Sequence, residues 1–206
     1  MQTGYKTLEK ANYKYLFQGV MLLIFFLCFT GSDAQHIPSS GNAFTLKYFG
    51  LSVHLKESPH PEIFPNKLDE KGYVTTNYGA IAGYDRFIVG NKHAIRLQQG
   101  VYADCSGSLA GFTHVGWRGL IFQKKRHSLN GGIGPTLVYR HDWNRLVGYT
   151  DDGYFNRRGN LQYKFYWYAG ELEYNFRFTK KTELSVSMIP GIPELISFGA
   201  GLRQHF

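Results

Sequence analysis

Four residues of this chain have the types found in hydrolases. They are a hydroxyl at Ser128, a base at His114, and carboxylates at Glu171 and Glu173. Nucleophilic catalysis needs a base within hydrogen-bond reach of the hydroxyl and an acid that orients the base. His127 adjoins Ser128, but neighbours on a strand point to opposite faces, so it cannot serve from the same side. The competing chemistry is charge neutralisation. His114 and Arg118 share a face by parity, and so do Glu171 and Glu173, so a ladder of ion pairs is the expected arrangement. Buried charges require partners. Arg96, Asp104, Arg177 and Arg203 also fall in mid-strand positions and extend this network. Ser128 and Asn130 then line the same interior.

A second group of reactive side chains is loop-borne. "HDWNRLVGYTDDGYFNRRGN" (141–160) carries Asp142, Asp151 and Asp152 with Arg145, Arg157 and Arg158. Trp143, Tyr149, Tyr154 and Phe155 stand among them. Arginine suits phosphate by its planar donors, and the aromatics could meet a protein partner. "YTDDGYF" lacks the full oxygen series of a calcium loop and reads as a turn. His54 and the "ESPHPE" stretch around His60 have no metal-ligand spacing. Of two cysteines, Cys28 lies in an apolar N-terminal run, which leaves Cys105 alone. No metal or cofactor is expected.

Strands must position these groups. Eight candidates are read: Ala43–Lys56, Thr76–Val89, His93–Cys105, Leu109–Phe122, Ser128–His141, Gln162–Phe178, Glu183–Met188 and Ile196–Phe206. They are rich in β-branched and aromatic residues. In "ELEYNFRF", Glu171, Glu173, Asn175 and Arg177 alternate with Leu172, Tyr174, Phe176 and Phe178. The phase changes near Gly50, which suggests a bulge. The connections alternate as well: 58–72 and 144–160 are long, whereas 90–92, 124–126 and 179–181 are tight. In an up-and-down sheet, this puts long loops at one end and short turns at the other.

Alternation also suits a soluble barrel with an apolar interior. Full charges of both signs in mid-strand favour the inverted case, with polar groups inside and apolar groups in lipid. Aromatics are 17% of residues and many fall near strand ends, as in membrane-interface girdles. The net charge of +8 is spread as pairs and triplets at turns, so nucleic-acid binding is not expected. Residues 1–14 carry Lys6, Lys10 and Lys14. A short apolar core around Val20–Phe29 and the small residues Ser32 and Ala34 follow. That is the order of a cleaved export signal over 1–34, leaving a domain of residues 35–206.

The ending "ISFGAGLRQHF" alternates and closes on Phe206. It resembles the C-terminal signal that the insertion machinery reads in bacterial outer-membrane proteins. By pattern, residues 43–206 resemble the small eight-stranded outer-membrane β-barrels, the OmpX-like size class. The resemblance implies an all-β, closed, antiparallel transmembrane barrel in a Gram-negative outer membrane. Its neighbours would be the lipid bilayer, lipopolysaccharide and, during assembly, the insertion machinery. Eight strands leave room only for side chains, so the lumen should be plugged and the chain should not be a porin. A non-catalytic role in envelope structure or binding is expected. Two alternatives are an enzyme acting on lipid A or phospholipid acyl chains, and an accessory subunit docking through the aromatic 144–168 region. "RHSLNGG" is similar to the His-x-Ser-Asn pattern of lipid A deacylases, but here the His and Ser are adjacent, and the stretch sits at a predicted inner turn.

Overall fold

In the computed structural model the described residues are 41–56, 61–191 and 195–206. The export signal and Cys28 lie outside them. Nine strands form: β1 Asn42–His54, β2 Val74–Val89, β3 His93–Ala103, β4 Leu109–Lys124, β5 His127–His141, β6 Asn156–Arg158, β7 Leu161–Arg177, β8 Thr182–Gly191 and β9 Leu195–His205. Eight of them match the strands read from sequence, with ends displaced by at most three residues. β6 was not anticipated. Its three residues are all exposed, so no alternation marks it.

Consecutive barrel strands pair antiparallel, β9 returns to β1, and β5 pairs with β7. The sheet is therefore a closed eight-stranded cylinder, with β6 as a short flap on the outer end of β7. Closure satisfies the edge hydrogen bonds that hydrocarbon would leave unmade, except along the part of β7 above Leu172, where its ladder with β8 stops. Residues 90–92, 125–126 and 178–181 turn at one end, the inner end by the parity of the chain. The positive φ of Gly90 (54°) and Lys125 (53°) makes two of these turns tight. The connections 104–108 and 142–160, and the described residues 55–56 and 61–73 of the first one, lie at the other end.

Side-chain direction follows the alternation. On β1, Ala43, Thr45, Lys47 and Phe49 are buried, and Phe44, Leu46 and Tyr48 are exposed. After Gly50 the buried position becomes Ser52. The register shifts between Phe49 and Leu51 against both neighbours, so the extra residue is a bulge that re-aims the upper strand. β3 turns Arg96 and Gln98 inward and Ile95 and Leu97 outward. β8 turns Glu183, Ser185 and Ser187 inward and Leu184 and Val186 outward. A water-soluble barrel would do the reverse, since exposed leucine and buried charge are both unfavourable in water.

Leu202 stands on this outer face, opposite Leu46 on β1 and Leu184 on β8. Leu202→Arg should destabilise the barrel in phospholipid vesicles by about 1–2 kcal/mol, since a cation on the lipid face costs about 2–4 kcal/mol at the midplane and about 0–1 near the interfaces, and Leu202 pairs with the third residue of β8. Denaturant titration of the vesicle-inserted protein checks this.

Candidate functional site: the lumen and its outer cap

The lumen is built in layers. Its middle is an ion-pair plug donated by six strands. Lys47 on β1 reaches Glu171 at 2.9 Å and Glu173 at 2.7 Å on β7. Arg96 on β3 makes a two-pronged pair with Asp85 on β2 at 2.6 and 2.8 Å. Its Nη1 also reaches Glu171 at 2.6 Å and Glu173 at 2.9 Å. Arg118 on β4 donates to Glu173 at 2.7 Å, and Arg203 on β9 pairs with Asp85 at 2.5 Å and Glu173 at 3.2 Å. Four cations therefore face three carboxylates, all almost wholly buried. Arginine's planar fork suits this shared, multidentate contact better than a point charge. The pairing across the lumen ties non-adjacent strands together, which the ladder hydrogen bonds do not.

Below the plug, Glu183 joins Arg177 at 3.2 Å and His205 at 3.2 Å. Phe87 stacks on His205, with centroids 5.9 Å apart. Above it, Phe49, Ile81 and Phe112 form an apolar layer against Tyr102. The lumen is thus filled by side chains through successive layers.

A cap closes the outer end. Trp143, in a short 3-10 turn after β5, packs edge-on against Phe64 from the first outer loop at 6.0 Å. Its indole Nε1 donates to Asp104 at 2.9 Å. Arg140 lies over the Trp143 ring at 3.6 Å and over Phe155 at 4.1 Å. Ile63, Cys105, Leu146 and Tyr149 complete the cluster. Three outer connections thus meet on one small core. Burial raises the Asp104 carboxyl above its usual range, although Ser106, Trp143 and the Ser108 N–H hydrogen-bond to it. Burial, then the Asp104 charge, pushes the Cys105 thiol far up. Burial would raise Asp142 too, but hydrogen bonds from Asn144 and the Arg157 guanidinium at 2.6 Å hold it low.

Of the charges read as one network, Arg96, Arg118, Glu171, Glu173 and Arg203 do meet. Arg177 belongs to the inner layer through Glu183. His114 bonds Thr136 at 2.6 Å and makes no ion pair with the carboxylates, although it lies within electrostatic reach of Glu171. Asp104 is not in the plug: it accepts the backbone N–H groups of Ser106 and Ser108 in the outer turn, because the strand ends at Ala103. Sequence reading passed over Lys47, Asp85 and Glu183. Lys47 was visible in "FTLKYF", where Thr45 and Lys47 alternate with apolar residues. Asp85 was masked by Arg86 beside it.

The hydrolase set does not assemble. Thr136 pairs with His114, and Ser128 lies eight residues earlier on β5, roughly 26 Å away at ordinary strand rise. Ser128 accepts from Asn130 at 3.4 Å near the inner turn. His127, on the opposite side of the strand from Ser128, is buried against Tyr174 and Phe176 and contacts the Tyr174 hydroxyl at 2.6 Å. Among the residues read as an exposed docking surface, Trp143 is a correction: it is buried beneath the cap, since its ring and N–H both find partners there. Tyr149, Tyr154 and Phe155 are half-buried, and Arg157 and Arg158 are exposed. The carboxylates of "YTDDGYF" accept turn N–H groups, Asp151 from Gly153 and Asp152 from Tyr154.

A closed antiparallel cylinder, apolar outside and ion-paired within, defines a transmembrane β-barrel of the small, plugged kind. Solved structures similar to the chain are barrels of this size. The attachment invasion locus protein Ail of Yersinia pestis is 13% identical, with TM-score 0.48, over 81% of this chain and 99% of that one. The N-terminal β-barrel domain of Pseudomonas aeruginosa OprF is 11% identical, with TM-score 0.44, over 81% and 98%. The outer-membrane protein AlkL is 12% identical, with TM-score 0.39, over 85% and 94%. No protein-family model and no curated protein sequence matches the chain.

Proposed function

We propose that this chain is an integral protein of the bacterial outer membrane, exported by a cleaved signal, that serves envelope structure or binding. It neither conducts solutes nor catalyses a reaction. The observation that carries the reading is the filled lumen. Glu173 alone is shared by Lys47, Arg96, Arg118 and Arg203, and the Phe49–Ile81–Phe112 layer lies above it. A cross-section of eight strands holds side chains and little else. The separation of Ser128 from His114 speaks against acyl hydrolysis, because a nucleophile without a base in reach stays weak. Binding in this reading belongs to the outer loops. Arg157 and Arg158 are exposed there, suited to lipopolysaccharide phosphates, and Val147 is exposed in the same connection, suited to a protein partner.

Planar-bilayer recording on refolded protein tests this. The refolded state is verified first by its faster migration in unboiled detergent gels. Steady channel openings should be missing from the traces. A persistent ohmic conductance, or release of acyl chains from lipid A that Ser128→Ala abolishes, would overturn the proposal.

A further inference from the structure

The wall of the barrel is not uniform. The β7–β8 ladder ends at Leu172 and Met188. Beyond that point β8 continues to Gly191 along β9, and β7 continues to Leu161 along β5. Extending the register by two residues would set Gly170 opposite Pro190. Proline has no N–H to donate, and glycine brings no side chain to close the seam. Among the described residues, β7 meets a strand on this side again only at Leu161–Tyr163, where β6 pairs with it. The other edge of the same stretch is disturbed too. The register with β5 shifts between Gly134 and Thr136, around Pro135, leaving Trp167 and Tyr168 in the bulge, 69% and 84% exposed.

An apolar groove of about 440 Å³ lies at this seam, on the outward face. Trp117, Ile133, Leu172 and Met188 form its walls. Its floor is low because Gly119 and Gly131 stand opposite each other on β4 and β5, with the Ile121 side chain leaning toward Gly131, and because Gly170 on β7, opposite Ile133, lies one diagonal step away. The volume is within the range of about 300–1,000 Å³ usual for small-molecule sites. The groove is continuous with the lipid-facing surface of Val115, Ile133 and Leu172, so what enters it comes from the hydrocarbon. A polar occupant would lose its hydration without compensation there. Trp167 and Tyr168 stand along β7 from Gly170 toward the outer end. Aromatics of this kind mark head-group level.

We propose that this seam is a binding site for one acyl chain of an outer-leaflet lipid. The hydrocarbon lies over Gly119, Gly131 and Gly170, and the head group sits beside Trp167 and Tyr168. The site rests on the membrane-spanning reading above and deepens its binding role.

The test uses Trp167→Phe protein, so that Trp117 reports the groove against a constant background from Trp143 in the cap. A lysophosphatidylcholine brominated on its acyl chain is titrated into unbrominated maltoside micelles. The expected result is Trp117 quenching that saturates near one lipid per barrel. Gly170→Leu and, separately, Gly119→Leu should weaken it several-fold, because the leucine fills the groove. An added Cβ meets nothing closer than 3.6 Å at Gly170 and 3.5 Å at Gly119, so both variants should fold, as unboiled gels would verify. Val101→Leu, also outward but on β3, should leave the quenching unchanged. Quenching that only tracks the mole fraction of brominated lipid and ignores both fillings would overturn the site while leaving the barrel in its membrane. A crosslinkable second copy covering Trp117 would overturn it too. Trp117 left unquenched in bilayers made wholly of brominated phosphatidylcholine would instead remove the membrane reading, and the site with it.

Discussion

Glu173→Leu is expected to prevent the chain from holding a stable barrel. Glu173 lies 2.7 Å from Lys47, 2.9 Å from Arg96, 2.7 Å from Arg118 and 3.2 Å from Arg203. Removing it leaves those four cations facing only Asp85 and Glu171. Breaking a buried ion pair by deleting one partner costs about 3–5 kcal/mol, because the other charge stays desolvated and uncompensated. Here one deletion strands several cations at once, so the upper end of that range applies. Urea titration followed by unboiled gel migration reads the loss. A second substitution separates charge from shape. Adding Arg118→Leu restores the plug's charge balance to three cations against two carboxylates, the same excess as in the unaltered chain. Replacing a buried pair by apolar groups is often neutral, so the double variant should recover part of the lost stability. Unchanged stability in Glu173→Leu would mean that the plug does not bind the strands together.

Trp143→Ala is the second large effect, and it should be local. The indole contacts Phe64 and Tyr149, lies under Arg140 and donates to Asp104. Truncating a buried aromatic costs about 3–5 kcal/mol. That cost falls on the cap and not on the strand ladders, since Trp143 belongs to no strand. Cys105 reports it directly. The thiol is buried in the cap and its pKa is pushed up, so a maleimide should label it very slowly in the unaltered chain. In Trp143→Ala, labelling located at Cys105 by peptide mass spectrometry should rise on the order of a hundredfold or more, at tenfold per 1.4 kcal/mol. The folded band in unboiled gels should persist. Equal labelling in both proteins would mean that the outer connections do not share one core.

The strand framework was readable because a barrel wall has two chemically different sides. Each inward polar residue is flanked by outward apolar ones, as in "ELEYNFRF", and the change of phase at Gly50 marked the bulge. Charge partners were harder to read. Alternation says which residues enter the lumen but not which meet there, because pairing depends on shear around the cylinder. Arg96 and Glu171 lie 75 residues apart in sequence and meet across the lumen. Asp104 showed the same parity as Arg96 yet left the network where its strand ended. Trp143 was misread because loop composition carries no periodicity. An aromatic among charged residues looks exposed until a second loop, here the one bearing Phe64, folds over it. The seam at Gly170 and Pro190 was half visible: the seventh candidate strand was read to end at Met188, whereas β8 runs on past Pro190 along β9 alone.

Nitroxide labels at Leu202 and Leu184, in protein inserted into phospholipid vesicles, address the inversion of inside and outside most directly. Relaxation by oxygen, which concentrates in hydrocarbon, should greatly exceed relaxation by a water-soluble nickel chelate at both positions. Strong relaxation by the chelate at either one would mean that water wets this face, and a barrel with apolar walls toward lipid and ion pairs within could not be the structure of this protein.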